Sequence, residues 1–307
     1  MGLNKLPLFD FVPTWKPSEE DIIFLIRLPR VVGGMLVGAA LAIAGVLFQG
    51  LLRNPMADPW IIGTSAGAAL GATIAMLLPL NFALLGFGLV PAFAFCGALA
   101  AVLLVYNLAR VGGKTPIVSM LLAGFILNSI LTAIMYLIIT LLPQSQLHFR
   151  VFSFLGGSIS VSTWWQIVIV SPLILGGIVA ARFFAPHLNA FSLGEEGAAY
   201  VGIEVERDKK LILGLGSLLT AAAVCLSGLV GFVGLVMPHA MRLLLGPDHR
   251  QLLPASALAG GAFVVLADLL ARTVMAPQEL LIGEITAPIG GIFFIYLLRR
   301  TRREYAF

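Results

Sequence analysis

The chain has 307 residues, of which 59% are hydrophobic and 11% charged, with a formal net charge of +4. Soluble domains carry about 25% charged residues, so this composition excludes a domain that faces water on all sides. The basic residues lie between apolar stretches and at the C-terminus, which excludes a nucleic-acid partner and favours membrane lipid.

Nine apolar stretches follow one another along the chain, most of them near the roughly 20 residues that cross a bilayer as a helix. Helices are expected because lipid offers no hydrogen-bond partner to an unpaired backbone group. The predicted fold is therefore an all-α, polytopic bundle of about nine transmembrane helices. The predicted spans are 31–52, 59–79, 87–109, 116–142, 164–181, 211–229, 231–245, 252–271 and 285–298.

The loop charges predict an orientation. Of the 19 lysines and arginines, 13 fall on one side of the predicted membrane and 6 on the other, so the positive-inside rule makes the first side cytoplasmic. Residues 1–30 then form an extracytoplasmic N-terminal segment, 31–303 a single transmembrane domain, and 304–307 a cytoplasmic C-terminal tail. An external N-terminus with no span before it predicts that a first span is missing from this sequence.

Two internal spacings predict close helix packing. Gly34 and Gly38 are four residues apart, as are Gly63, Gly67 and Gly71. Small residues on one helix face let two backbones approach closely in lipid.

The longest predicted cytoplasmic connection, 182–210, is too long for a simple turn. A short helix is expected at 194–200, with Glu195 and Glu196 in its first turn. The two carboxylates form either a solvated face or a lever that fits a groove on a soluble partner.

The sequence contains no HExxH or GxSxG motif and no clustered Cys/His ligands. Gly113, Lys114 and Thr115 resemble the end of a phosphate-binding loop, but the first glycine of that motif is replaced by Leu108. The sequence therefore predicts neither an enzyme nor a bound metal or cofactor, and any ATP-driven activity needs a separate subunit.

Several polar residues are candidates for a translocation path or gate. Gln49 lies inside the first predicted span, where it either donates an interhelical hydrogen bond or lines a pore. Asn54 and Pro55 form a cytoplasmic turn, and Pro238 and His239 interrupt the short span 231–245.

Three arginines on the predicted outer side run against its charge bias. Arg27 and Arg30 precede the first span and either reach lipid phosphates or meet acidic side chains of an external protein. Arg272 lies four residues after Asp268, a spacing that favours an intrahelical ion pair, with contact to an outer partner as the alternative.

These segments together resemble the FecCD family, the permease subunits of bacterial and archaeal importers for iron–siderophore complexes, haem and cobalamin. The likeness covers nearly the whole chain from Arg27 onward. It lies in RLPRVVGGMLVGAALAIAG (27–45), QGLLRNPMADPWIIGTSAGAALGA (49–72), SLGEEGAAYVGIEVER (192–207), GFVGLVMPHAMRLLLGPDHRQLLPASALAGG (231–261), ADLLAR (267–272) and QELLIGEITAPIGG (278–291).

The resemblance implies a bundle of usually ten spans in the cytoplasmic membrane, paired as a homodimer or with a second permease. It also implies two cytoplasmic ATPase subunits, which use ATP and Mg²⁺, and an extracytoplasmic substrate-binding protein. Arg27, Arg30 and Arg272 match arginines that meet glutamates of the binding protein. The segment that matches the family's ATPase-coupling element contains Leu193, Gly194, Glu195, Glu196 and Ala198.

Within this family an iron chelate is the expected cargo, with cobalamin, haem or an oxyanion as alternatives. An ATP-independent secondary transporter is the alternative from another class. It would be expected to carry ionisable residues near the membrane midplane, and the spans before residue 230 contain none.

Overall fold

The computed structural model describes residues 22–79, 83–84, 87–142, 145–161 and 163–304. A π-helical turn, Ile22–Arg27, leads into the first α-helix, and a 3-10 helix, Pro59–Ile62, precedes the second. The α-helices are α1 (Leu28–Leu52), α2 (Thr64–Leu77), α3 (Leu89–Ala109), α4 (Ile117–Leu141), α5 (Ser145–Gly156), α6 (Trp164–Phe183), α7 (Ala185–Phe191), α8 (Glu195–Tyr200), α9 (Val205–Ser227), α10 (Val233–Leu245), α11 (His249–Thr273) and α12 (Ile282–Glu304). Strands β1 (Ala83–Leu84) and β2 (Phe87–Gly88) form a short antiparallel pair before α3.

Within the described ranges, α1 with its preceding π-helical turn, α3, α4, α6, α9 and α11 are long and apolar enough to cross a membrane. The apolar part of three further helices, α2, α10 and α12, is shorter. Each predicted span overlaps one of these nine helices, so the all-α transmembrane bundle is confirmed.

Two helices were missed by the sequence reasoning. Helix α5 carries His148 and Arg150, and α7 has only seven residues, so neither shows the long uncharged pattern of a span. Helix α8, which was expected, begins at Glu195.

The predicted segment boundaries shift at both termini of the chain. Residues 1–21 of the predicted N-terminal segment lie outside the described residues, while 28–30 belong to α1. Glu304 is the last residue of α12, and 305–307 of the predicted tail also lie outside the described residues.

Helix α1 is the centre of the bundle. Its most apolar window is 72% buried, and it packs against α9, α10 and α11. Glycines make this approach possible: a side chain on Gly38 would overlap the backbone of Gly260, and one on Gly45 would overlap Gly234.

The connections meet at two ends of the bundle. At one, which we call the basic end, Arg53 lies beside Gly194, the side chain of Asn189 contacts Asp248, and Lys209 contacts Thr115. At the other, the opposite end, the first turn of α1 meets the last turns of α11 and the connection to α12.

Candidate functional site

An ionic network, which we call the Arg30 network, closes the opposite end. It consists of Arg30, Asp268, Arg272 and Glu279. The Arg30 guanidinium lies 2.9 Å from Asp268 Oδ1 and 3.0 Å from Glu279 Oε2. Arg272 Nε lies 3.1 Å from Asp268 Oδ2, so one carboxylate serves two arginines.

The two acidic members of this network differ in exposure. The Asp268 side chain is 4% exposed, whereas that of Glu279 is 55% exposed. Arginine presents a planar fork whose N–H groups donate two parallel hydrogen bonds to one carboxylate, so another carboxylate can take the place of Glu279 on Arg30. The chemistry of the site therefore suits an acidic partner.

Among the predicted docking residues, Arg30 and Arg272 come together and Arg27 does not join them. Arg27 ends the π-helical turn and is exposed, without an ion pair to any residue in the described part of the chain. The docking role of all three stays a prediction. Glu279 was missed as a partner of Arg30 because 249 positions separate the two residues.

The predicted coupling residues divide between two faces. Leu193 and Glu196 are exposed, whereas Ala198 is buried against the bundle. Gly194 has φ +97°, a left-handed conformation that favours glycine. Glu195 turns inward, where its carboxylate lies 2.7 Å from Lys209 Nζ.

Lys209 is the centre of a second cluster, the Lys209 junction, formed with Glu195, Glu206 and Thr115. Its ammonium lies 3.0 Å from Glu206 Oε1 and 3.1 Å from the carbonyl oxygen of Thr115. Glu206 Oε2 accepts hydrogen bonds from the backbone N–H and the hydroxyl of Thr115, at 3.0 and 2.5 Å. The sequence reasoning had counted Lys209 among loop charges, but α9 begins at Val205 and buries it.

Helix α7 is also fixed to its surroundings. His187 Nδ1 lies 2.5 Å from Asp208 Oδ2 of α9. The Asn189 amide donates to Asp248 Oδ1 at 2.7 Å and accepts the His249 backbone N–H at 3.0 Å. Hydrogen bonds from the Arg250 backbone N–H and from Asn189 lower the pKa of the Asp248 carboxyl.

A cavity of about 730 Å³ opens at the basic end, between α1, α7 and the α10–α11 connection. Three predicted path residues, Gln49, Asn54 and Pro55, line it. Gln49 Nε2 also donates to the carbonyl oxygen of Gly234 at 3.1 Å, so this hydrogen bond connects α1 and α10 at the cavity wall. Asn54 Oδ1 accepts the Met56 backbone N–H at 2.9 Å, which is a turn contact.

The remaining two predicted path residues lie elsewhere. Pro238 is buried within α10, and the His239 ring packs 5.9 and 6.1 Å from the rings of Phe293 and Phe294. Neither lines the cavity at the basic end. Asn189, Arg242 and His249, which do line it, had not been singled out because they come from three separate segments.

Helix α4 presents a long unpartnered face. Its most apolar window is only 17% buried. Asn128, Thr132 and Tyr136 line a concavity of about 450 Å³ together with Trp60 and Phe125. The three polar residues repeat every fourth position, so they share one face of the helix. This four-residue spacing is the sequence signal that identifies a polar face on α4.

Comparison with known proteins shows extensive likeness. The model of the FecCD transport family matches residues 3–300. The Cobalamin import system permease protein BtuC of Halobacterium salinarum is 45% identical over 283 residues, which cover 92% of this chain and 74% of that protein. The Hemin transport system permease protein HmuU of Yersinia pestis is 38% identical over 300 residues, with 96% and 89% covered.

A solved structure supports the same likeness. It is described as a metal-chelate type ABC transporter in an inward-facing conformation. It superposes with a TM-score of 0.84 at 30% identity, covering 98% of this chain and 93% of that one.

Proposed function

Because the chain belongs to the FecCD transport family, we propose that it forms one half of the conduit of an importer driven by separate ATPase subunits, with an iron chelate as cargo. Membership makes the chain an integral membrane permease of an ABC importer, and the permease is not itself the catalyst. The chelate passes through without chemical change.

The exposed face of α4 supports this proposal most directly. Lipid-facing helices are apolar, and a polar residue at membrane depth usually faces protein or a water-filled cavity. On α4, Asn128, Thr132 and Tyr136 lie together beside an open concavity. We assign this face to a conduit that a second copy of the chain completes.

The two ends of the bundle then face different compartments. The basic end is placed in the cytoplasm because it carries most of the lysines and arginines, and the C-terminus lies on that side. Residues 184–204, which we call the α6–α9 connection, meet the ATPases there through Leu193 and Glu196. The opposite end receives an extracytoplasmic binding protein at Arg27, Arg30 and Arg272.

The iron chelate is the first candidate cargo because the solved relative is described as metal-chelate type. Cobalamin is the second, because a relative 45% identical over 283 residues is named for its import. Both are large metal complexes that a binding protein can deliver, so the permease needs only broad contacts with them.

A reconstituted importer tests the function. The chain is placed in liposomes with its neighbouring ATPase and binding protein, and ATP hydrolysis and uptake are measured with ferric siderophore, haem and cobalamin. Uptake of the ferric siderophore driven by ATP supports the proposal in full. Uptake of cobalamin or haem alone would show that this compound, and not an iron chelate, is the cargo. Uptake without ATP would contradict the proposal of an ATP-driven importer.

Disulfide crosslinking tests the pairing of two copies. In a background with Cys96→Ser and Cys225→Ser, Phe125→Cys, which is exposed on the same face of α4 as Asn128 and Thr132, should crosslink two copies in the membrane. Val179→Cys on α6, which is also exposed, serves as the control. Equal crosslinking at both positions, or at neither, contradicts the assignment of α4 to the interface.

A further inference from the structure

The Lys209 junction connects three segments that are distant in sequence. Glu195 comes from α8, Lys209 and Glu206 come from the first turns of α9, and Thr115 stands just before α4. We propose that Lys209 is the positioning residue that carries movement of α8 into α4. This inference rests on the proposed function, in which α8 meets the ATPase and α4 lines the conduit.

The chemistry of a buried ammonium makes this connection stiff. Lys209 is 2% exposed, and its three N–H donors face three acceptors: Glu195 at 2.7 Å, Glu206 at 3.0 Å and the carbonyl oxygen of Thr115 at 3.1 Å. Loss of any one acceptor would leave part of a buried charge uncompensated, which is strongly unfavourable. The three segments therefore stay together when one of them moves.

The α4 side of the junction is equally well fixed. Thr115 is 1% exposed and gives both its backbone N–H and its hydroxyl to Glu206. Pro116 follows as the N-cap of α4. The Glu206 carboxylate thus lies at the N-terminal end of α4, where the helix dipole favours a negative charge.

The tight turn before Thr115 fixes the position of that residue. Val111 and Lys114 exchange backbone hydrogen bonds of 2.9 and 3.1 Å around Gly112 and Gly113. Both glycines have positive φ, as a tight two-residue turn requires. The glycine-rich stretch that resembled part of a phosphate-binding loop therefore has a different use: it presents Thr115 to Glu206.

A second contact, one residue away, supports the same reading. His187 Nδ1 of α7 lies 2.5 Å from Asp208 Oδ2, a close contact without hydrogen-bond geometry, so both short helices of the α6–α9 connection contact adjacent positions on α9. Glu196, by contrast, forms no ion pair with any residue that the structure describes and remains available to a partner. Glu196 is thus available to contact a partner, whereas the adjacent Glu195 connects α8 to Lys209.

Spin-label distances in the assembled importer test the inference. Labels are placed at Tyr200→Cys on α8 and Val118→Cys on α4, both exposed, in a background with Cys96→Ser and Cys225→Ser. In the otherwise unmodified chain, ATP binding should shift both labels. Glu195→Gln removes the charge that pairs with Lys209, and Thr115→Val removes the hydroxyl that donates to Glu206. Each variant weakens one side of the junction and should leave the α8 shift while reducing the α4 shift.

Transport per ATP gives the functional readout. Both variants should lower it about fivefold, near the lower end of coupling between sites, and the double variant should fall no further because the two bonds act in series. Glu196→Gln and Thr115→Ser are the matched controls, since neither removes a bond of the junction. Lys209→Arg, which keeps the charge, should recover more coupling than Lys209→Met.

Three outcomes overturn the inference. An α4 shift that persists unchanged in both variants and in Lys209→Met removes Lys209 from the transmission path while the proposed function stands. Failure of Glu195→Gln to bind the ATPase makes Glu195 a docking residue instead. If neither label moves with ATP in the unmodified chain, the proposed function itself fails and the inference fails with it.

Discussion

Two ionic networks of four residues hold opposite ends of this bundle, and they differ in how far water reaches them. Arg30 divides its donors between the buried Asp268 and the exposed Glu279. The Lys209 ammonium is itself buried, and its acidic partners Glu195 and Glu206 are 35% and 33% exposed, less than Glu279. Exposed ion pairs exchange partners at little cost, whereas buried ones resist separation. The opposite end is therefore suited to bind another protein transiently, and the basic end is suited to transmit force.

The largest effect is expected when the buried cation is removed. Lys209→Met leaves Glu195 and Glu206 without their shared counter-charge, which should lower the free energy of unfolding by about 3 kcal/mol. Thermal unfolding in detergent, followed by tryptophan fluorescence, measures the change. Lys210→Met removes the adjacent exposed charge and should have an effect below about 0.5 kcal/mol. Equal losses in the two variants would mean that the junction contributes nothing.

Removal of the shared carboxylate at the opposite end should have a smaller effect. Asp268→Asn leaves Arg30 and Arg272 with one acidic partner fewer, and both arginines are partly solvated. The expected destabilisation is therefore about 2 kcal/mol, below that of Lys209→Met, whose ammonium is buried. The same unfolding measurement applies. A loss larger than that of Lys209→Met would reverse the ranking of the two ends.

Removal of the exposed carboxylate should change binding more than stability. Glu279→Gln should alter the free energy of unfolding by less than about 0.5 kcal/mol. It should tighten docking of the binding protein about threefold, because Arg30 no longer has a competing partner. Glu284→Gln, also exposed on the same side, serves as control. Surface plasmon resonance on nanodisc-embedded permease measures affinity, and weaker docking would show that Glu279 helps to recruit the partner.

The smallest effect concerns Asp248, which lies exposed at the basic end. Its carboxyl pKa is lowered in the folded chain, so its stabilising contribution is complete above the ordinary value near 4 and is lost as pH falls through the lowered value. The melting temperature should therefore drop more between about pH 5 and pH 3 in the unmodified chain than in Asp248→Asn. Parallel curves would assign the acid sensitivity to other carboxylates.

The positions of the nine apolar helices were predictable, because each leaves an apolar run that lipid requires. The Asp268–Arg272 pair was also accessible, because residues four apart share a helix face, and it forms at 3.1 Å. Local sequence patterns do not predict contacts between distant segments. Arg30 and Asp268 are 238 positions apart, and no short-range pattern connects them.

The Lys209 junction shows a second kind of failure. The first residues of α9 are rich in charge, which is typical of a loop, so the span was predicted to begin at 211. The helix in fact begins at Val205. Burial of Lys209 depends on acceptors from α8 and from the turn before α4. A charged residue looks solvated in sequence until the fold supplies its partners.

The glycine contacts of α1 bear on how the chain is made. Gly38 fits against Gly260 and Gly45 against Gly234, so the partners of the first helix are synthesised about 200 residues after it. At roughly 5 to 20 residues per second, α1 waits about 10 to 40 s in the membrane before α10 and α11 arrive. During biogenesis its glycine-lined face must be covered by the helices synthesised before α10 or by the insertion machinery. Among the span-length helices that the structure describes, the most buried one is thus packed against helices that are made long after it.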